Sequence, residues 1–384
     1  MPFVVVHCSA PRYKGRTDPA RPHIQREKLT DRRREGERAQ AANIYMHVHE
    51  QSRALLLGSA AAGALACVYL LWRKRSGSRR EEEPFPLLPI CSLATFEKMK
   101  RLPLRPTDIF VCSYPKSGTT WMQHIVHTLA TDGQSPLPHV SDACPFYDVD
   151  RTWDQDKKEP VLTESVCAKH AQIGRRIFNT HLRYEMMPKS HPDARYIYMV
   201  RRPQDACISF FHHLSHQAED DGGFVGSLDE FIREWTGGTA IYGSWSAHLR
   251  SWLGVDGSSH GACDPRVLVL SYEELRRDLK TGVRLVNAHC RFGLSDARVD
   301  ELCERFTFDY MRSHEEQFEP RSVRWVAKDA EAADGKNFHF IRAGRIGDGD
   351  ACFASDERRS ALMNMVRRTF PEGTPTYVAK LLPL

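Results

Sequence analysis

No two of the eleven cysteines in this 384-residue sequence are close; the nearest pair, Cys290 and Cys303, lies 13 positions apart. Without a CxxC pair, a zinc ribbon and a thioredoxin-type redox motif are excluded. The odd count and scattered placement read as reduced thiols packed as small hydrophobes in a cytosolic setting. The main body also lacks net charge of one sign. Against +5 for the whole chain, residues 1–53 hold an excess of 5 and residues 54–83 an excess of 2, which leaves −2 for residues 84–384. No nucleic-acid partner is expected for such a body, although a local anion site fits it. Internal repeats are absent. An apolar content of 41% and a charged content of 27% exclude disorder throughout and a polytopic membrane protein.

What is present divides into parts. Residues 1–53 are charged and show no sustained apolar period, so they read as a disordered basic arm. Residues 54–72 (ALLLGSAAAGALACVYLLW) run 19 positions without a charge. As a helix they would extend roughly 28 Å, close to a bilayer core. Tyr69 and Trp72 sit where an interfacial belt would lie, and Arg73-Lys74-Arg75 follow. The stretch reads as a transmembrane anchor that leaves the larger C-terminal part in the cytoplasm by the positive-inside rule. A cleaved signal peptide is the other reading, because Ala64-Leu65-Ala66 has a small-x-small form. Residues 73–94, basic and then proline-rich (PFPLLP), read as a linker.

Residues 95–384 read as one α/β domain. Bounded apolar runs at 108–113, 176–180, 195–200 and 266–271 have the character of buried parallel strands. Helical patterns at 119–131, 203–216, 228–236, 272–280, 283–292, 297–305 and 355–368 alternate with them. That alternation predicts a central parallel sheet flanked by helices in three layers.

The most informative segment is Tyr114-Pro115-Lys116-Ser117-Gly118-Thr119-Thr120-Trp121, between the first strand and the helix after it. Gly118 permits a tight turn, and the amides that follow open a helix N-terminus suited to phosphate or sulfate. Lys116 and the hydroxyls of Ser117, Thr119 and Thr120 add donors. A Walker A loop would need GxxxxGK[ST], with its lysine after the last glycine; here the lysine comes first. A second segment, Arg201-Arg202-Pro203-Gln204-Asp205-Ala206-Cys207-Ile208-Ser209, leaves another strand. Arg201 can fork two hydrogen bonds onto a phosphate, and Ser209 lies one to two turns into the next helix. Asp205 reads as support for the helix start. A third segment runs Arg342-Ala343-Gly344-Arg345-Ile346-Gly347-Asp348.

The first segment resembles the 5′-phosphosulfate loop of the cytosolic sulfotransferase family, whose members use 3′-phosphoadenosine 5′-phosphosulfate (PAPS). The second is similar to that family's R-x-P-x-D-x-x-x-S signature, and the third to its R-K-G-x-x-G-D-W-K loop. The resemblance spans about residues 95–370. It implies a P-loop-like three-layer sulfotransferase fold, PAPS as co-substrate and no metal. By the same resemblance, Lys116, Ser117, Gly118, Thr119 and Thr120 hold the 5′ end of the nucleotide. Arg201, Ser209, Arg342, Ala343 and Gly344 hold its 3′-phosphate. Trp121, Tyr272, Thr307, Phe308 and Met311 surround the adenine.

Sulfonate transfer is an in-line displacement that needs a base, positive charge on the leaving oxygen and donors around the moving group. Asn179-Thr180-His181-Leu182 is similar to the family's K-T-H-L segment, which implies His181 as general base and Lys116 as the stabilising cation. His212 and His216 lie four apart beside His213, but no HExxH glutamate accompanies them; the resemblance puts this FFHH run on the acceptor side. Departures from the family pattern stand at Asn179, Ala343, Gly349 and Asp350. They leave open a catalytically weakened, nucleotide-binding regulatory relative as the alternative to an active enzyme. Acceptors consistent with the family are phenols, alcohols, steroids and amines, with Phe146, Tyr147, Trp153 and Trp325 as candidate lining. The family's dimer motif would begin near Asp350, where Asp350, Ala354, Ser355 and Arg359 replace its residues, so the usual homodimer contact is not expected.

Overall fold

A computed structural model describes residues 85–137, 139–254, 261–326 and 339–370. The arm at 1–53, the apolar stretch at 54–72 and the linker up to residue 84 lie outside the described residues. Among the described residues no helix is long and apolar enough to cross a membrane.

The sheet has four parallel strands: β1 (Ile109–Ser113), β2 (Ile177–Thr180), β3 (Arg195–Val200) and β4 (Val267–Ser271), in the order β2-β1-β3-β4. Phe110 pairs in register with Phe178 and Tyr196, and Val111 with Asn179 and Ile197. The helices are α1 (Leu93–Arg101), α2 (Thr119–Ala130), α3 (Val140–Ala143), α4 (Glu164–Ile173), α5 (Pro203–Leu214), α6 (Leu228–Gly237), α7 (Trp245–Leu253), α8 (Tyr272–Arg277), α9 (Leu279–His289), α10 (Asp296–Leu302), α11 (Phe308–Ser313) and α12 (Asp356–Thr369).

The two-residue period of the strands sends different side chains to the two faces. Phe110, Cys112, Tyr196 and Tyr198 point to an aromatic half of the core, which α1, α5, α6, α7 and α12 complete with Met99, Phe210, Trp235, Trp252 and Met365. Ile109, Val111, Ile197 and Met199 point to an aliphatic half completed by α2, α9 and α10. The Phe110 ring stacks on Phe178 at 5.1 Å and on Tyr196 at 5.4 Å, and Tyr198 stacks on Trp252 at 4.7 Å. Both faces are therefore dry, which is why the strands read as continuous apolar runs. The predicted α2 face of Trp121, Ile125, Val126 and Leu129 is buried in the aliphatic half.

Three expectations need correction. The folded body begins before residue 95: Leu88 and Cys91 are buried in the core and α1 starts at Leu93, so the end of the expected linker is part of the domain. The helices expected at 272–280 and 283–292 are α8 and α9, which almost abut. Asp278 divides them, its carboxylate accepting from the Thr281 amide to cap α9. Tyr147 and Trp153 do not line an acceptor pocket; both are buried, with the Trp153 indole donating to the Tyr147 carbonyl at 2.9 Å.

Candidate active site

The C-terminal ends of β1, β2 and β3 open onto one cavity of about 250 Å³. Its floor is the turn after β1. Lys116 and Gly118 both adopt positive φ, 64° and 99°. A side chain at 118 would meet the Tyr272 ring at 2.9 Å, so glycine is required there for space as well as for conformation. Gly118 caps α2 without a side-chain acceptor, so the first amides of that 12-residue helix keep their donor capacity. Thr119 and Thr120 line the cavity, and the Thr119 hydroxyl bonds that of Ser113. Ser117, expected as a ligand, is buried and absent from the wall.

Arg201 leaves the end of β3 and donates to the Lys116 carbonyl at 2.8 Å, while its guanidinium lies 4.5 Å over the Tyr272 ring. Its Nε is buried without a hydrogen-bond partner. A buried guanidinium with an unused donor at a cavity wall suits an anion. Ser209 is on the cavity side of α5. Trp121 meets Tyr272 edge to face at 5.5 Å and is fixed by donating from its indole N–H to the Phe306 carbonyl at 2.8 Å. Phe308 and Met311 complete this end. Thr307 does not reach it. Its hydroxyl caps α11, accepting from Tyr310 and donating to the Glu304 carbonyl at 3.0 Å, and so is spent on local structure.

The C-terminal loop closes over the aromatic end. Gly344, at φ 60°, presses on Phe308, where a Cβ would lie 2.3 Å from the ring. Arg342 and Ala343 line the cavity beside it, with Arg342 ion-paired to Asp348 within the loop. Asp205 lies in the first turn of α5, as expected, and also reaches the C-terminal loop. Its carboxylate accepts from the amides of Gly347 at 2.9 Å and Gly349 at 2.8 Å, clamping the loop. Gly349, where the resemblance implied tryptophan, leaves no room for one: a Cβ would be 2.4 Å from the Gln204 carbonyl oxygen. Asp350 pairs with Arg202 at 2.7 Å, outside the cavity wall.

His181 follows β2. Its Nδ1 is 2.8 Å from the Ser113 carbonyl, which can only accept, so the hydrogen sits on Nδ1 and the Nε2 lone pair is free. Phe146 and Tyr242 hold the ring edge to face at 5.4 and 5.0 Å. Beneath it the buried Asp148 carboxyl accepts from the His181 amide at 2.7 Å and from the Thr180 hydroxyl. Burial and the nearby Lys116 charge lower the His181 pKa to about 4, leaving a neutral imidazole at physiological pH. Asp148 moves the other way, raised to about 7 by burial against its two hydrogen bonds. Burial, with Arg201 and Arg342 nearby, lowers Lys116 to about 7. The Asn179 amide lines the cavity and donates to the Cys144 carbonyl at 2.7 Å, which leaves its second N–H.

A sulfotransferase domain model matches residues 106–360. The chain belongs to the sulfotransferase family. An amine sulfotransferase of Oryctolagus cuniculus is 26% identical over 264 residues, covering 67% of this chain and 79% of its own length. Sulfotransferase 1E1 of Homo sapiens is 28% identical over 258 residues, covering 66% and 80%. Among solved structures, mouse sulfotransferase SULT7A1 complexed with PAP superposes with a TM-score of 0.53 at 20% identity, covering 74% of this chain and 92% of its own. Retinol dehydratase in complex with androsterone and inactive cofactor PAP does so with 0.52 at 22%, covering 72% and 84%. These structural likenesses establish the α/β sulfotransferase fold.

The cavity wall around His181 was only partly legible in the sequence. Phe146 lines it as expected, but Leu88, Ile90, Phe210, Ile241 and Tyr242 also do, arriving from segments far apart in the chain. His213 was visible only as part of FFHH, and nothing local singled it out from His212 and His216.

Proposed function

We propose that this chain moves a sulfonate group from PAPS to a hydroxyl or amine of a small-molecule acceptor. The observation that carries the reading is the joint opening of Lys116, His181, Arg201 and the uncapped start of α2 onto one cavity. The α2 amides, Thr119 and Thr120 would hold the 5′-phosphosulfate. Arg201, Ser209 and Arg342 would hold the 3′-phosphate, with Arg342 exchanging its Asp348 partner for it. Trp121, Tyr272, Phe308 and Met311 would enclose the adenine. PAP in the solved relatives agrees with this choice of donor.

In the transfer, His181 takes the acceptor proton on Nε2 as the acceptor oxygen or nitrogen forms its bond to sulfur. Lys116 stabilises the phosphate oxygen released as the old S–O bond breaks, leaving PAP. Aromatic and aliphatic walls exclude water around the acceptor and suit phenols, alcohols, steroids or amines.

The test is a transfer assay with PAPS and a panel of these acceptors. Turnover of at least one is expected, with Lys116→Ala losing about 10²–10³-fold and His181→Ala about 10²–10⁴-fold in kcat. PAP binding without transfer to any acceptor would favour the weakened, regulatory relative. No PAP binding would defeat both readings.

A further inference from the structure

We propose that His213 is a positioning residue for Lys116, setting the place of the cationic amine between the nucleotide and acceptor ends. This rests on the sulfonate-transfer reading. His213 is one turn beyond Ser209 on α5, and both side chains line the cavity. The i, i+4 spacing puts hydroxyl and imidazole on one helix face. His213 Nδ1 is 3.3 Å from the Lys116 amine, which itself sits 4.3 Å over the Phe340 ring. Trp325 meets the imidazole edge to face at 5.1 Å and Phe340 at 6.0 Å, so the ring has little freedom to turn.

The protonated amine can only donate, so in that state Nδ1 accepts and the imidazole hydrogen lies on Nε2. The charged or titratable groups facing the ring are Lys116 from the turn after β1, His181 from the end of β2 and His216 from the next turn. All are cationic when protonated, and with burial they keep His213 neutral and able to accept. A protonated His213 would lose the lone pair and repel Lys116. Two neutral imidazoles thus do separate work. His181 keeps its free lone pair for the acceptor proton, and His213 uses one to hold the lysine.

The experiment compares His213→Leu, His213→Asn and His213→Gln in PAPS turnover and in PAP calorimetry. An Asn oxygen falls close to the Nδ1 position, whereas Gln carries its oxygen one bond further. The expected result for His213→Leu is a kcat loss of about 10- to 100-fold, from the lost hydrogen bond to a charged group, with PAP affinity within about threefold of wild type. Asn should recover most of the rate and Gln should not. Nitrogen NMR of the imidazoles, which needs no acceptor, should show His213 as the Nε2–H form and a mixture of forms in Lys116→Met. Wild-type kcat in His213→Leu, equal losses in Leu and Asn, or a tautomer indifferent to Lys116→Met would overturn the proposal. If the wild type itself transfers to no acceptor, the sulfonate-transfer reading fails, and the tautomer measurement still decides this one.

Discussion

Lys116 concentrates most of the site's electrostatics. It is held at positive φ, its carbonyl takes the Arg201 guanidinium, and its amine is buried near two arginines. Like charges and desolvation lower its pKa to about 7, so at pH 8 the free protein carries a mostly neutral amine. A polyanionic nucleotide reverses that balance. PAP binding at pH 8 should therefore take up close to one proton, and clearly less at pH 6.5, where the amine is already largely protonated. Calorimetry in buffers of different ionisation enthalpy measures the number, and Lys116→Met should abolish the uptake. The meeting of Lys116, Gly118 and Arg201 at one cavity was legible because each sits at a fixed offset from a strand end. The bond between Lys116 and His213 was not, since 97 residues separate them and only packing brings them together. Thr307 and Ser117 misled for the converse reason: a polar residue near a site can be satisfied by its own helix or buried beneath the turn.

At the scale of elements, the turn before α2 and the loop after residue 340 rest on contacts that tolerate little change. Gly118→Ala would drive a Cβ toward Tyr272 and force an alanine to φ 99°. A cost of about 1–3 kcal/mol is expected, read as a lower melting temperature together with weakened PAP binding. Asp205 clamps two amides of the C-terminal loop, so Asp205→Ala should raise the KM for PAPS several-fold with a smaller change in kcat. Equal falls in kcat and kcat/KM would instead place Asp205 in the chemical step. The four strands were legible to within a residue because both faces of each are buried, which leaves short apolar runs in the sequence, although β2 contributes only Ile177-Phe178 before Asn179 and Thr180. Helices α1, α4 and α7 were not. α4 buries only His170 and carries no clear apolar stripe, while α1 begins at the end of the proline-rich stretch expected as a linker.

For the whole molecule, the two-faced sheet buries many ionisable groups, and histidines dominate their acid response. Burial lowers His124, His127, His170, His181 and His289 to about 4. Unfolded histidines titrate near 6.5, so between about pH 6.5 and 4 the unfolded chain binds more protons than the folded one. The stability these neutral rings contribute is complete above 6.5 and is lost as pH falls through that window, at up to about 1.4 kcal/mol per histidine per pH unit. Asp148, raised to about 7, acts in the opposite sense, as do the carboxyls of Glu234, Glu273, Glu274 and Glu319, which burial also raises. Urea midpoints should therefore fall steeply from pH 7 to pH 5, and a flat profile would contradict this account of the buried histidines. The parallel sheet followed from strand–helix alternation and the grouping of three loop segments from the family resemblance, whereas the strand order β2-β1-β3-β4 was not read from the sequence. The apolar cavity walls around His181, assembled from residues far apart in the chain, had no such local signature.

The central claim is that the turn at 114–121 grips the donor nucleotide while the His181 lone pair faces the transferred group. A crystal structure of the protein with PAP and a bound phenol tests it most directly. The account predicts the 5′-phosphate on the first amides of α2 beside Lys116, the 3′-phosphate on Arg201 and Ser209, and the phenol oxygen within hydrogen-bond reach of His181 Nε2. PAP bound away from that turn, or a phenol oxygen out of reach of the imidazole, would contradict it.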